Sequence, residues 1–518
     1  MAVLQPLLQQ SWQELHKMTF TLLLPLLFLL SFLYVFKCIR NSEKPNLPPS
    51  PPKLPIIGNL HQLGSLPHRS LHALSKKYGP LMFLYFGHAP SLVVSSADMA
   101  REMMTTHDKV FSNRPKTIAT NFLLYGCIDL AFSPYGEYWR KVRKVCVHDL
   151  LSIKRVQSLH YVREEEVAIL MNKVCDSCLK GVSINLSELL IETSNNIVTR
   201  VIFGKKFEEQ DGMGKPSELP RKVMVLIASF FWGDFFPSLG WIDILTGLLP
   251  SLKSTGREID AYLDEVLEEH YKTAKCDDDE HLNKKDFVDI FLQLQKDGML
   301  GFELHHENLK AILLNMLIGG GDSTSTTLEW VMAELIKNPS IMKRAQEEVR
   351  RVVGNKSKID VDDISQMNYM KCIIKESLRL HTPLPLSAPR ETSESVKFGG
   401  YDIPAKTRVF VNVWAIQRDP KLWDRPEEFI PERFIDNPND LKGQNFEFIP
   451  FGGGRKGCPG MAFAIAAVEY LLANLLCWFD WRLPTINAQG EELDMTEVNA
   501  LTAFRKNRLH IMPILHSS

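Results

Sequence analysis

The sequence predicts a mostly helical fold with a small sheet, preceded by one N-terminal transmembrane helix. Apolar residues recur at the period of an α-helix over seven long stretches, whereas strand-like apolar and β-branched residues occupy two short regions, Tyr78–Ser96 and Lys397–Val413. An almost wholly apolar run of about nineteen residues near the start has the length of a membrane-spanning helix. The helical stretches are Ala97–His107, Tyr135–Leu151, Val162–Leu179, Ile259–Ala274, His306–Lys337, Ser340–Val353 and Met367–Leu380.

The predicted transmembrane anchor is Met18–Phe36, MTFTLLLPLLFLLSFLYVF, which follows an N-terminal extension, residues 1–17. Lys37, Arg40 and Lys44 come directly after it, and positive charge tends to remain on the cytoplasmic side of a membrane. The rest of the chain is therefore expected in the cytosol. A cleaved secretory signal is the alternative, but no small-residue cleavage site follows the apolar run.

Two further segments bear on how the chain meets a membrane. Residues 37–55 form a basic and then proline-rich hinge, whose LPPSPPKLP run predicts a semi-rigid extended spacer before the globular body, residues 56–518. Phe230–Leu249 carries many aromatic residues on a stretch interrupted by glycine and proline. We expect these aromatics in the core, with a second membrane-contacting surface as the alternative.

The composition is that of a globular protein with almost no net charge. The 60 basic and 61 acidic side chains give no support to a nucleic-acid partner. The length of 518 residues allows several domains, but the order of the motifs favours one large domain. Nine cysteines spread along the chain do not resemble a disulfide framework and favour a reducing compartment. The pair Cys175 and Cys178 lacks a second CxxC, so no zinc site is expected there.

One cysteine, Cys458, lies in the glycine-rich stretch Phe451–Gly460, FGGGRKGCPG, directly before the apolar helical run Met461–Cys477. The glycines allow positive backbone dihedrals and the close approach of a flat ligand. The positive end of a helix favours the thiolate form of a nearby cysteine, and a thiolate can bind a soft metal. A buried structural cysteine is the alternative, because most cysteines are of that kind.

Three glycines, Gly319–Gly321, interrupt the apolar periodic run His306–Lys337 and are followed by Asp322, Ser323 and Thr324. In a helix interior they should cost roughly 3 kcal/mol relative to alanine, so some other interaction must offset them. Glycines there would let a planar cofactor and dioxygen lie against the helix, beside an acid and two alcohols. A loop that joins two helices is the alternative, although the stretch contains no proline.

Two more motifs lie upstream of the cysteine loop. Glu376–Arg379, ESLR, lies on a predicted helix, and Pro431–Phe434, PERF, lies between that helix and the loop. An isolated ExxR is common, since it is an ordinary i,i+3 helix pair. The ordered set ESLR, PERF and FGGGRKGCPG is similar to the signature of the cytochrome P450 family. The resemblance covers about Pro48 to Pro513, and the chain looks most like a plant microsomal enzyme of the A type.

The resemblance implies the cytochrome P450 fold, a helical triangular prism with a small β-rich lobe, and a haem-thiolate catalytic domain over residues 56–518. Cys458 is then the protein ligand to the iron of haem b. Glu376, Arg379 and Arg433 correspond to the family's buried ion-pair triad, which braces the cysteine loop.

The glycine-rich part of the long helix resembles the family segment whose acid-alcohol pair delivers protons to dioxygen. By that match Asp322 takes the role of the acid. Ser323 stands where the family usually has threonine, and Thr324 follows one place later, so a hydroxyl is retained while a methyl group is lost. We therefore expect proton delivery to be leakier.

The resemblance also implies a set of haem-binding residues. Trp139 and Arg143 form a W-x-x-x-R motif similar to one propionate anchor, and Arg390, in APRE, is similar to another. Phe451 opens the cysteine loop. Lys456 stands where the family usually has Arg or His, and it can neutralise a propionate only as a point charge without the bidentate fork.

A thiolate ligand pushes electron density onto iron and favours cleavage of the O–O bond, so the resemblance implies a monooxygenase. The expected partners are O2, a membrane-bound NADPH-cytochrome P450 reductase and a small, mostly apolar plant metabolite such as a terpenoid, a coumarin or another phenolic. Lys141, Arg143 and Lys144 are candidate reductase contacts, or a solvated helix face. The expected location is the endoplasmic reticulum membrane, with a single span and a cytosolic catalytic domain.

Two other functions stay open. An enzyme of the same fold could dehydrate or rearrange its substrate, for example an aldoxime, without reductase, and the serine at position 323 leaves room for it. It would turn over without consuming NADPH or O2, which distinguishes it from a monooxygenase. A haem-binding scaffold held at the membrane is the third possibility.

Overall fold

The computed structural model describes residues 25–33, 45–206, 219–273, 285–437, 441, 443–484, 493–498 and 500–516. The chain divides into two units, Met1–Leu47 and Pro48–Ser518. In the first unit, residues 25–33 form a helix, α1, with exposed side chains. The remainder of the predicted anchor, the extension 1–17 and the basic part of the hinge, residues 37–44, lie outside the described residues.

Within the second unit, helices account for most of the chain, as the periodicity predicted. They are α2 Pro67–Tyr78, α3 Ala97–Thr105, α4 Ile118–Leu123, α5 Glu137–Val145, α6 Ile153–Ser158, α7 His160–Leu179, α8 Leu186–Phe203, α9 Leu219–Ala228, α10 Trp232–Phe235, α11 Ile242–Leu245, α12 Leu248–Thr273, α13 Phe287–Lys296, α14 His306–Lys337, α15 Pro339–Val353, α16 Val361–Gln366, α17 Asn368–Leu380, α18 Val413–Ile416 and α19 Met461–Trp478.

The strands are short and form small sheets. They are β1 Leu81–Phe86, β2 Ala89–Val94, β3 Ile184–Asn185, β4 Arg390–Glu391, β5 Val396–Phe398, β6 Tyr401–Ile403, β7 Arg408–Val411, β8 Phe479–Arg482, β9 Glu497–Val498, β10 Phe504–Arg505 and β11 His510–Leu515. The largest described sheet has the order β1-β2-β7-β4, in which β2 and β7 are parallel and the other two pairings are antiparallel. The first predicted strand region and the end of the second, β7, therefore join in one sheet, whereas β5 and β6 of the second region pair separately.

The proline-rich end of the predicted hinge is bonded to the start of this sheet. The Phe83 N–H donates to Pro49 O (3.0 Å), and Asn59 Nδ2 donates to Pro51 O (3.2 Å). Gln62 Nε2 donates to Pro52 O (2.8 Å). Residues 48–55 thus have fixed partners in the second unit.

The long helix α14 is continuous from His306 to Lys337, so the alternative of a loop at its glycines is wrong. It packs against α8, α17 and α19, and most of its residues are buried. The predicted helix Tyr135–Leu151 is shorter: α5 ends at Val145, and a π-helical turn, Cys146–Leu150, follows.

Among the described residues, one helix, α19, is long and apolar enough to cross a membrane. Of its apolar window, 61% is buried inside the protein, which is typical of a core helix. Its packing against α7, α15 and α17 places it in the core, directly after the cysteine loop.

Candidate active site

The cysteine loop is folded tightly around Cys458. Gly452 and Gly454 have positive φ angles (69° and 65°), and a side chain at Gly454 would lie 2.6 Å from Asp108 Oδ1. The Cys458 N–H donates to Phe451 O (2.9 Å), which closes the loop. Glycine is therefore needed here both for the backbone angles and for the approach of Asp108.

The Cys458 side chain is accessible although its surroundings are those of the protein interior. Burial raises the pKa of the Cys458 thiol, whereas the Gly460 N–H, at the start of α19, and the charge of Arg143 lower it. Arg143 Nη2 also donates to Gly457 O (2.8 Å), which ties α5 to the loop. The helix start and the arginine therefore both act against the effect of burial and favour the thiolate.

Four basic side chains gather beside the loop, and three of them, Arg114, Arg390 and Lys456, are buried. Arg143 is the fourth and is half-buried. Burial, followed by the charge of Arg114, lowers the pKa of Lys456 to about 6. Burial and then the charge of Arg390 lower the pKa of Arg114 to about 9. The cations therefore repel one another in a medium that screens charge poorly.

Two buried carboxylates stand among these cations, and both are already engaged. Asp108 accepts from Arg390 (3.4 Å) and from Arg455 (3.0 Å). Asp129 Oδ1 accepts from the N–H groups of residues 131 and 132 (2.7 and 2.8 Å), and burial raises the pKa of Asp129 to about 6. Within the described chain, Arg390 Nε has no hydrogen-bond partner. The site thus has more buried basic groups than carboxylates, and a ligand with two carboxylates would favour the charged forms of those groups.

Two of the predicted propionate anchors also contact backbone and ring groups. Lys456 Nζ donates to Ser133 O (2.7 Å) and lies 4.2 Å above the Trp139 ring. The Trp139 indole N–H donates to Leu130 O (2.9 Å). Trp139 therefore faces the cation cluster with its ring, while its N–H holds the preceding loop.

The three side chains of the expected triad are in contact. Arg379 Nε donates to Glu376 (2.7 Å), and Arg433 Nε donates to the same carboxylate (3.0 Å); Glu376 and Arg379 are fully buried. Gln417 extends the contact toward the loop, because its backbone carbonyl accepts from Arg379 (2.8 Å) and its side-chain oxygen accepts from the Ile449 N–H (3.1 Å). The triad is therefore linked to the segment that leads into the cysteine loop.

The three glycines of α14 have different surroundings. No atom lies within 4 Å of the position that a side chain at Gly319 would occupy, whereas one at Gly320 would lie 2.9 Å from Val198 of α8. A side chain at Gly321 would overlap Asn195 of the same helix. Only Gly319 is thus placed to face a flat ligand, and the other two allow α8 and α14 to approach closely.

The side chains of the predicted acid and alcohols, Asp322, Ser323 and Thr324, do not bond to one another. The Ser323 hydroxyl donates to Gly319 O (2.7 Å), one turn earlier in the helix. Thr324 Oγ1 is buried and has no hydrogen-bond partner in the described chain. Asp322 is buried, and its Oδ2 accepts a hydrogen bond from the hydroxyl of Thr502. The structure thus brings Asp322 together with a residue that the sequence did not indicate as its partner.

Comparison with known proteins identifies the family. The model of the family described as Cytochrome P450 matches residues 48–504. The chain belongs to the cytochrome P450 family. It is 51% identical over 524 residues to a phenylacetaldehyde oxime monooxygenase from Prunus mume, with 99% of each chain covered. It is 52% identical to cytochrome P450 71A1 from Persea americana, over 89% of this chain and 92% of that protein.

A solved zebrafish cytochrome P450 with progesterone has the same fold. It superposes with a TM-score of 0.74 at 24% identity, covering 87% of this chain and 99% of that one. The predicted cytochrome P450 fold is confirmed. The chain is a P450 monooxygenase of the plant type that uses haem b, with electrons supplied indirectly by NADPH.

The residues present fit haem b. An accessible thiol near a helix start is a suitable axial ligand. The basic side chains beside the loop outnumber the carboxylates there, which suits the two propionates of haem. Arg114 is part of that cluster, although the sequence did not single it out as a haem-binding residue. The local sequence around Arg114 does not indicate a haem-binding residue. Its burial depends on distant parts of the chain, because Arg114 donates to the carbonyls of Ala131, Ala388 and Pro389.

Proposed function

We propose that this P450 inserts one oxygen atom from O2 into a small, mostly apolar plant specialised metabolite, with electrons from NADPH delivered by a cytochrome P450 reductase. The observation that carries the proposal is the accessible Cys458 thiol set beside four converging cations. In it Cys458 holds the iron, while Arg114, Arg143, Arg390 and Lys456 hold the propionates. Haem b, when bound, supplies dioxygen activation.

The protein's own contribution is to fix the cysteine loop and to supply protons from α14. Glu376, Arg379 and Arg433 hold the segment before the loop, so the sulfur is presented at one position. Asp322 and Ser323 are the proposed relay, with Thr324 as a further hydroxyl. Full activity of an Asp322→Asn, Ser323→Ala double variant would refute this relay and leave the ligand assignment intact.

The substrate is proposed to lie beside Gly319, on the open side of α14. One turn earlier, Asn315 Oδ1 accepts from the Ala131 N–H (2.7 Å), which joins α14 to the loop that carries Asp129 and supplies a polar group in an apolar wall. Such a wall suits a small apolar molecule with one or two polar groups. A terpenoid, a coumarin or another phenolic fits this description.

The Prunus mume relative favours a second substrate class, an aryl aldoxime, because its name gives phenylacetaldehyde oxime as the molecule on which it acts. An aldoxime also connects with the dehydratase alternative. Loss of water from the oxime needs no electrons, whereas oxygenation consumes NADPH and O2. The two reactions are therefore separable in one assay.

The test is a substrate panel with purified full-length protein and reductase. It should contain a monoterpene, a coumarin, a simple phenolic and phenylacetaldehyde oxime, each with and without NADPH, with products followed by mass. A product that gains one oxygen atom only when NADPH is present supports the proposal. A product that has lost water without NADPH would instead establish a dehydratase.

We further propose that the protein is a single-pass protein of the endoplasmic reticulum, with residues 18–36 as its anchor. Exposed apolar side chains support a second membrane contact: Ile56 is 75% exposed, Trp241 56% and Leu245 75%. The β1–β2 turn lies between the segments that carry them, since Gly87 N donates to Ile57 O (3.2 Å) and His88 N donates to Phe235 O (3.0 Å).

The aromatic stretch thus divides between core and surface, with Phe231 and Phe236 buried and Trp241 exposed. Replacing Trp241 and Leu245 by Ser in protein lacking residues 1–44 should reduce its sedimentation with phospholipid vesicles. Equal sedimentation of this variant and the parent would contradict a second contact.

Of the three basic residues proposed to contact the reductase, two already contact other groups of the protein. Lys141 pairs with Glu137 (2.7 Å), and Arg143 is directed to the cysteine loop. Lys144 is exposed on the same helix. Lys144→Glu should therefore raise the KM for reductase, whereas Lys141→Glu should have the smaller effect.

A further inference from the structure

The acid of the proposed proton relay is held from outside its own helix. Asp322 is 5% exposed, and its Oδ2 accepts a hydrogen bond from Thr502, which is 1% exposed. Neither neighbouring hydroxyl on α14 takes this place, since the Ser323 hydroxyl is turned to Gly319 O and Thr324 Oγ1 has no partner in the described residues.

Thr502 belongs to a segment that is itself firmly attached. It lies two residues before β10, which pairs with β9. The next residue, Ala503, makes two backbone contacts: its carbonyl accepts from Trp330 Nε1 (3.0 Å), and its N–H donates to Pro383 O (2.8 Å). Trp330 lies on α14, two turns beyond the acid. The hydroxyl of Thr502 is therefore held next to Asp322 by a segment that is fixed by the β9–β10 pairing and by the contacts of Ala503.

A third element reaches the same point. Arg221 of α9 has its Nε 4.0 Å from Asp322 Oδ1, and its guanidinium lies 4.1 Å from the centre of the Phe504 ring on β10. The two oxygens of the carboxylate thus face different partners, a hydroxyl at bonding distance and a more distant cation. The closer partner determines the orientation of the carboxylate.

We propose that Thr502 is a positioning residue for Asp322, an inference that rests on the proposed proton relay. By donating to Oδ2 it holds the carboxylate in one rotamer and away from the hydroxyls of Ser323 and Thr324. The C-terminal segment at Thr502, rather than Ser323, therefore sets the position from which the acid acts. Loss of the hydroxyl leaves a buried carboxylate oxygen without its donor and frees the side chain to rotate.

The test compares Thr502→Val, Thr502→Ser and Asp322→Asn with a matched control, Thr382→Val, in full-length holoenzyme. Thr382 is also buried, but its hydroxyl has no partner in the described chain, and it precedes Pro383, which the same segment contacts. The first readout is the fraction of NADPH electrons recovered as hydrogen peroxide, with reductase and phenylacetaldehyde oxime. The second is amide hydrogen exchange of residues 500–505, which does not depend on turnover.

Thr502→Val should raise the ratio of hydrogen peroxide to oxygenated product by about tenfold, the size expected for one lost hydrogen bond to a charged group. Thr502→Ser should stay within about twofold of the parent, since it keeps the donor. Residues 500–505 should exchange faster in Thr502→Val and in Asp322→Asn than in the parent. A Thr502→Val, Asp322→Asn double variant should exchange no faster than either single variant. Thr382→Val should match the parent in both readouts.

One result would contradict the positioning role of Thr502 alone, and another would contradict the proton relay. If Asp322→Asn changed electron partitioning while Thr502→Val behaved like Thr382→Val, the positioning role would be wrong and the relay would stand. If Asp322→Asn itself left the partitioning unchanged, the relay would fail, and with it the reason to position the acid.

Discussion

The cysteine loop and the middle of α14 form the two halves of the site, and different forces build them. The loop is held mainly by charged groups: Arg143 and Arg390 donate to its carbonyls, and Asp108 accepts from Arg455 within it. The Glu-Arg-Arg triad is linked to the segment before the loop. The middle of α14 is held by close packing, through two glycines against α8 and one hydroxyl bond from Thr502. Changes of charge should therefore act mainly on cofactor retention, and changes of volume mainly on helix packing.

The largest expected effect follows from removing the sulfur. Cys458→Ser should abolish both monooxygenase activity and the red-shifted Soret band of the reduced, carbon-monoxide-treated protein, because that band requires thiolate ligation of the iron. Cys175→Ser is the control, since Cys175 lies half-buried on α7. An unchanged Soret band in Cys458→Ser would contradict the ligand assignment and with it the division of the site into these two halves.

The buried triad gives the next largest effect. Glu376→Gln leaves two arginines without their carboxylate, and breaking such a fully buried pair typically costs about 3–5 kcal/mol. We expect a lower midpoint of unfolding and poor haem retention. The control is Asp98→Asn, because Asp98 and Arg101 form an i,i+3 pair on an exposed helix surface, where the loss is at most about 0.5 kcal/mol. Similar midpoints for the two variants would show that the triad does not brace the loop.

The sequence predicted the charge-held half more completely than the packing-held half. Cys458, Glu376, Arg379 and Arg433 lie in short motifs whose order along the chain is itself a signal. Residues that act on the loop from elsewhere in the chain carry no such signal. Gln417 bonds to the segment before the loop, and Arg114 acts on Lys456 through its charge, and both are recognisable only once the chain is folded.

The packing-held half depends on elements that periodicity does not show. Helix α8 was not predicted, because it is buried on most of its surface and a helix buried all round lacks an amphipathic stripe. It supplies Asn195 and Val198, the neighbours of two α14 glycines. All three glycines were expected to face a flat cofactor, whereas the packing of α8 against α14 explains two of them. The contact of Thr502 with Asp322 joins residues far apart in the chain and leaves no local pattern.

Arg114 offers a smaller test of the charge-held half. Arg114→Gln removes one buried cation, and hydrogen bonds of a charged group are worth about 1.5–3 kcal/mol. Haem should therefore transfer to apomyoglobin faster by roughly tenfold to a hundredfold. Arg351→Gln, on the exposed end of α15, should leave the transfer rate unchanged. Equal rates for the two variants would mean that Arg114 holds only the backbone carbonyls around it.

The smallest effects separate the glycines of α14. In haem-free protein, Gly319→Ala meets no atom within 4 Å and replaces glycine in a helix interior, so it should stabilise the fold by up to about 1 kcal/mol. Gly321→Ala gains the same propensity but forces its methyl group onto Asn195, and overpacking of this kind typically costs about 1–3 kcal/mol. The two variants should therefore shift the urea midpoint of unfolding in opposite directions. If both variants raised the urea midpoint equally, α8 would be able to move away from α14. Close packing of these two helices would then not determine the structure of this half of the site.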